Sequence, residues 1–340
     1  MLFNVNLLSQ TVLLLSNTLF IVCFYPVLFK ENHLTIIEIG LVFATYYIIK
    51  EIFPIIARLK AITKNKYIVA YLFLISSYLL LPQVDSFYLI LFIVGINSYS
   101  GALISSCSKS FFFKDIENGF RSKKKYYDAF HTSVSLGFFL AIPIMYFSFM
   151  AGMGSWIYYP LGFVNFLILI LILFKKEINN IEAEDVFNQD EFYLPPILLV
   201  SSTLSNTLTI SYPMIISFIS IENIHSTKYI SFFMLFYGIL ASLVTKHSIT
   251  KKSIISLQLL NNLFMISFLT VAFTVKIPTI NLAMMTLFLG TVYVHLTLIS
   301  SNANTGTSIR RTNFGKYGLG VLSASLLVLL PIIFDTFINK

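Results

Sequence analysis

Leu15-Ser16-Asn17-Thr18-Leu19, Tyr25-Pro26 and Glu31-Asn32-His33-Leu34-Thr35 follow one another within residues 12–35, and the same order returns within residues 201–227. The second copy reads Leu204-Ser205-Asn206-Thr207-Leu208, Tyr212-Pro213 and Glu222-Asn223-Ile224-His225-Ser226-Thr227. Asn17 and Asn206 stand 189 positions apart, Glu31 and Glu222 191. Further landmarks keep step: Ile62-Thr63-Lys64 with Ile249-Thr250-Lys251 at 187, and Pro143 with Pro331 at 188. A drift of a few residues is what short loop insertions produce. The chain reads as a duplicated bundle.

Composition places that bundle in a membrane. The 340 residues are 57% hydrophobic and 11% charged, with a mean hydropathy of +0.82, against about 25% charged in a soluble domain. Eleven apolar runs recur, at 6–29, 34–57, 67–82, 87–112, 128–150, 155–174, 194–219, 228–246, 253–275, 278–300 and 317–336. Runs of about 20 residues cross about 30 Å of hydrocarbon. The first run has neither a basic flank nor a small-residue cleavage site and reads as a retained helix. Cys23 and Cys107, both inside apolar runs, supply no disulfide framework and no metal-ligand spacing.

The basic residues set orientation. Of 23 Lys and Arg, 18 fall in loops on one side, among them Arg58, Lys60, Lys64, Lys66 and the cluster Arg121, Lys123, Lys124, Lys125. The positive-inside rule then puts even-numbered helices ending in the cytoplasm, with a cytoplasmic N-terminus. The net charge of +8 is a topology signal, and no nucleic-acid patch is expected. Residues 1–176 read as a six-helix bundle, 177–192 as a polar cytoplasmic linker, and 193–340 as a five-helix bundle. The counterpart of the sixth run falls beyond Lys340, so the C-terminus is expected outside.

Two parallel halves, a basic loop between runs two and three, and a long central link resemble the major facilitator superfamily. That resemblance implies an all-α polytopic membrane protein of two pseudo-symmetric bundles. The family's Gly-x-Leu-Ala-Asp-Arg-type motif corresponds to Ala57-Arg58-Leu59-Lys60-Ala61-Ile62-Thr63-Lys64-Asn65-Lys66. The leucine and the basic character are kept; the aspartate position holds Ala61. Gly137 and Pro143 bracket a stretch similar to the exporters' helix-five element, without its glycine pairs. The embedded arginine of helix four in proton-coupled exporters falls at Asn97, ahead of Ser100-Gly101.

The candidates for solute contact are Asn17, Gln10, Asn206, Asn97 and His295. Gln10 lies two turns from Asn17 on one helix face. A buried amide needs a partner, so each asparagine either lines a solute cavity or bonds a neighbouring helix. Lys50, Glu51, Arg58 and His131 are the candidates for coupling or gating. Lys50 and Glu51 lie about 10–12 Å into their helix from Arg58. Lys50 is open to two readings, snorkelling to the cytoplasmic interface or a gate ion pair; Glu51 is either a proton site or a salt-bridge partner. His131 and His295 have a titration range suited to proton relay. The serine face of run four (Ser98, Ser105, Ser108 with Gly101) reads as close helix packing. The 34 Phe and 19 Tyr are expected mostly against lipid and at the interfaces, and Asn261 and Asn262 on a peripheral helix.

With no phosphate loop and no paired acidic groups at one depth, no enzyme and no cofactor are expected. What the sequence implies is a monomeric secondary transporter of the bacterial inner membrane. It moves a small organic solute by alternating access, outward, with protons as the simplest coupling ion and lipids as its surroundings. A flippase for lipid-linked intermediates, or a transport-inactive scaffold or assembly protein, is the alternative.

Overall fold

The computed structural model describes residues 5–56, 61–117, 136–137, 140–141, 144, 147–148, 151–174, 181–182, 251–274, 283–284, 287 and 291. The chain divides into two compact units, Met1–Gln189 with Ser325–Lys340, and Asp190–Ala324. In the first lie α1 (Val5–Lys30), α2 (Ile36–Ile56), α3 (Lys64–Leu80), α4 (Phe87–Glu117) and α5 (Tyr158–Phe174). In the second lies α6 (Lys251–Thr274). These bounds follow the apolar runs, because hydrophobic length is what a spanning helix requires. The exceptions are α3, which starts three residues early on a polar cap, α4, which runs on to Glu117, and α5, which starts three residues late, after the single turn Gly154–Ile157.

The helix ends are written in local chemistry. Thr35 and Glu38 form a reciprocal box at the start of α2: the Thr35 backbone N–H and hydroxyl donate to the Glu38 carboxylate, each at 2.8 Å, and the Glu38 N–H donates back at 3.3 Å. The Thr63 hydroxyl accepts from the Lys66 N–H at 3.2 Å and starts α3. Pro82 cannot continue a helix, so α3 ends in the single turn Leu81–Gln83. The described helical residues of the fifth run end at Ser148, and the chain turns at Gly152, whose φ of 68° suits a residue without a Cβ. There the Met153 N–H reaches back to the Ser148 carbonyl at 2.9 Å.

Two residues on each side form an antiparallel bridge, β1 (Ala61–Ile62) with β2 (Ile181–Glu182). It ties the loop after α2 to the segment after α5. Beside it, Lys64 Nζ donates to the Leu173 carbonyl at 3.1 Å, a cation at the carbonyl end of α5.

Three described segments are long and apolar enough to cross a membrane, at 64–83, 87–108 and 154–174. Phe92, Phe163 and Phe174 on them point outward. Among the described residues, the expectation that aromatic side chains lie mostly against lipid fails for tyrosine. Tyr46, Tyr67, Tyr71, Tyr78 and Tyr158 are among the largest fully buried side chains. For Tyr67 and Tyr71 the physical reason is the hydroxyl, which needs a partner that hydrocarbon cannot supply and Ser9 of α1 can. Tyr88 and Trp156, at the start of α4 and just before α5, are exposed as interfacial rings are.

The duplication has one structural counterpart among the described residues. α6 begins at Lys251 and α3 at Lys64, which is the 187-residue offset of the two Ile-Thr-Lys triplets. On α6, Asn261 and Asn262 are buried, and Asn261 Nδ2 donates to the Thr291 carbonyl at 3.0 Å.

Candidate functional site

α1, α2 and α4 meet along a face lined by polar side chains at three levels. At the first, Gln10 of α1 is held by α4: the Ser108 hydroxyl donates to Gln10 Oε1 at 2.7 Å, and Gln10 Nε2 donates to Ser105 Oγ at 3.4 Å. At the second, Asn17 lies against Gly101. A Cβ at Gly101 would stand 3.2 Å from Asn17 Nδ2 and 3.4 Å from Oδ1. Asn17 is 4% exposed, and its Oδ1 has no hydrogen-bond partner among the described residues. At the third, the Ser98 hydroxyl of α4 donates to the Tyr46 carbonyl of α2. The Tyr46 ring meets Phe20 of α1 at 5.9 Å between centroids.

Lys50 belongs to this face. Its Nζ lies 5.5 Å from the centroid of the Tyr46 ring, within range of a cation–π attraction. The serine face of α4 is thus the seam where α1 and α2 dock, with two of its three hydroxyls on Gln10 and the third on a backbone carbonyl.

Behind the seam lies a second polar layer. Asn97 Nδ2 donates to Ser77 Oγ of α3 at 2.8 Å, and that hydroxyl donates on to the Leu74 carbonyl at 2.6 Å. Asn165 Nδ2 of α5 donates to Ser16 Oγ of α1 at 2.8 Å and to the Leu161 carbonyl at 2.8 Å. Ser9 Oγ sits 2.5 Å from the Tyr67 hydroxyl and 2.7 Å from that of Tyr71. Each of these bonds supplies the partner that a buried hydroxyl or amide must find. Together they bind α1, α3, α4 and α5 into one unit.

Of the residues singled out from the sequence, the structure brings Gln10, Asn17 and Lys50 to one face, and turns Asn97 toward α3. Glu51 is on α2, with its side chain outside the described residues; Arg58, His131, Asn206 and His295 lie outside them altogether. Sequence reasoning passed over Tyr46 and Asn165. The four-residue step from Tyr46 to Lys50 was the available signal for the first, since residues so spaced share a helix face. A lone amide in an otherwise apolar run was the signal for the second.

At the opposite end of α1, the repeated Glu-Asn-His stretch fastens three loops. The Glu31 carboxylate accepts from the Ser155 N–H at 3.0 and 3.2 Å. Asn32 Nδ2 donates to the Val84 carbonyl at 3.0 Å. His33 takes a φ of 53°, a left-handed turn that brings the chain into α2.

No protein-family profile and no curated protein matches the sequence. Solved structures do match the fold over nearly the full length. The nucleoside transporter NupG is similar at a TM-score of 0.65 and 12% identity, over 96% of this chain and 90% of NupG. The human organic anion transporter MFSD10 aligns at 0.61 and 13% identity, over 97% and 92%. A bacterial homologue of the human lysosomal transporter Spinster, inward-facing and occupied, aligns at 0.66 and 14% identity, over 98% and 80%. The chain has the fold that these transporters share.

Proposed function

We propose that this polytopic membrane protein, built on the major facilitator fold, is a secondary transporter that moves a small organic solute by alternating access. The observation that carries the reading is the fold, matched from end to end by transporters. Their names give a nucleoside and an organic anion, both small organic solutes. The seam agrees with this reading: Asn17 is buried against Gly101 and, like Asn97 and Asn165, has an amide oxygen without a partner among the described residues, as a group that lines a cavity would.

Residues 1–176 form the first bundle in this account, 177–192 the linker and 193–340 the second bundle. The N-terminus is cytoplasmic, the membrane is the bacterial cytoplasmic membrane, and export is the direction. Gln10, Asn17, Asn206 and His295 are the polar groups of the solute path, and Asn97 packs behind it against Ser77 of α3. Lys50, Glu51, Arg58 and His131 form the gating or proton-coupling set.

Flux into proteoliposomes under an imposed pH gradient tests the proposal. Solute movement driven by the gradient and reduced in Glu51→Gln is the expected result. Lipid-probe scrambling without solute flux would favour a flippase. Neither activity would leave the scaffold reading.

A further inference from the structure

Three side chains of the layer behind the seam keep a polar atom that their direct bonds do not use. Tyr78 of α3, Asn97 of α4 and Asn165 of α5 are each 0% exposed. The Tyr78 hydroxyl, Asn97 Oδ1 and Asn165 Oδ1 have no hydrogen-bond partner among the described residues. Buried polar atoms of this kind are rare in proteins, and hydrocarbon offers them nothing.

The three belong to one cluster. Asn165 Nδ2 donates to Ser16 Oγ of α1, and Asn97 Nδ2 donates to Ser77 Oγ, on the residue before Tyr78. The side chains of Asn97 and Ser16 both face the Tyr78 hydroxyl, yet neither bonds it directly. Gly162, one turn before Asn165, brings α5 to the same place: a Cβ there would stand 3.5 Å from Tyr78 Cβ. Phe20 covers the cluster, its ring edge-on to that of Tyr78 at 5.4 Å between centroids.

Polar groups that face each other without a direct bond are the usual setting of a bridging water. Two hydrogen bonds of about 2.8 Å join atoms up to about 5.5 Å apart. The chemistry of the three atoms selects the bridge. Two are amide oxygens, which only accept; the third is a phenol, which has a proton to give. Water donates to both amide oxygens and accepts from Tyr78, and three bonds are the typical complement of a buried water. A cation fits the same oxygens less well, because the buried polar residues described include no Asp or Glu to offset its charge.

We propose that Tyr78, Asn97 and Asn165 hold one internal water, a hub that joins α3, α4 and α5 beside Ser16 of α1. The site stands independently of the transport reading. Tyr67 and Tyr71 are the contrast within the same helix: they are equally buried, but Ser9 meets both hydroxyls, so they need no water.

X-ray radiolytic footprinting of the full chain in detergent tests the site. Radicals formed from a bound water oxidise the side chain beside it even where bulk solvent cannot reach, and mass spectrometry reads the product. Tyr78 is expected to be oxidised, with Tyr67 and Tyr71 left unmodified. In Asn165→Leu, which removes one of the acceptors, oxidation of Tyr78 is expected to fall to the level of Tyr67; the wild-type comparison decides by itself if that variant fails to fold. An unmodified Tyr78, three tyrosines oxidised alike, or oxidation of Tyr78 unchanged in Asn165→Leu overturns the hub. Melting temperatures in sodium chloride and choline chloride are expected to agree. A rise specific to sodium that is lost in Tyr78→Phe would assign a cation to these oxygens and overturn the water.

Discussion

Glu31 and Ser155, 124 residues apart in sequence, are joined by a carboxylate that accepts the Ser155 backbone N–H with both oxygens. That N–H belongs to the single turn Gly154–Ile157 that leads into α5, so the end of α1 caps the start of α5. Gly154 is held at φ 49°, and a Cβ there would come within 1.9 Å of Glu31 Oε1. The repeated Glu-Asn-His stretch earns its first copy here as a fastener of loops.

Gly154→Ala should therefore be destabilising for two reasons, the left-handed backbone and the collision with the carboxylate. In a Glu31→Ala background the second reason disappears. Melting temperatures of the four proteins in detergent should show the pair to be non-additive, with coupling of about 1 kcal/mol. Additive losses would mean that the carboxylate does not occupy this position.

Two glycines that pack against α1 should behave differently. A Cβ at Gly137 would stand 2.3 Å from the Thr11 carbonyl oxygen and 3.0 Å from the Leu15 backbone nitrogen, while at Gly101 the neighbours are the side-chain amide atoms of Asn17. Backbone cannot yield as a side chain can. Gly137→Ala should cost about 1–3 kcal/mol, seen as a lower yield of monodisperse protein and a lower melting temperature. Gly101→Ala should cost less than this in stability while changing solute flux, since it displaces Asn17.

Ser9 serves two buried phenols at once. Ser9→Ala should lower stability by about 1–3 kcal/mol, because removing one partner leaves a buried hydroxyl unsatisfied. Adding Tyr71→Phe to Ser9→Ala should then cost little further, or recover part of the loss, on the same thermal assay.

Asn165 donates to both Ser16 and the Leu161 carbonyl. Asn165→Leu should destabilise by about 0.6–1.7 kcal/mol, the range for hydrogen bonds between membrane helices. Asn165→Gln, which keeps the donors, should retain more of the stability if the longer arm fits.

Much of this architecture was legible in the sequence because a spanning helix is mainly a matter of length and apolarity. Runs such as 6–29 and 253–275 match α1 and α6 to within a residue or two at each end. The starts of α2 and α3 are set by caps, Thr35 with Glu38 and Thr63, which a reading of hydropathy alone does not see. What periodicity could not decide was which side of an aromatic-rich helix faces protein. Tyr67 and Tyr71 face inward because Ser9 waits on another helix, a long-range fact with no local trace. Lys50 shows the same limit: its amine lies 5.5 Å from the centroid of the Tyr46 ring, a contact that hydropathy does not signal.

The account depends on water reaching, from within the bundle, the stripe of α2 that carries Tyr46 and Lys50. In a protein with Cys23 and Cys107 replaced by serine, Lys50→Cys should react with a membrane-impermeant, sulfonated thiol reagent in intact proteoliposomes or after permeabilisation. Ile48→Cys, on a face turned away from that stripe, should react only with a lipid-soluble maleimide. Reaction of Lys50→Cys with the lipid-soluble reagent alone would contradict the account, because it would place that stripe against acyl chains.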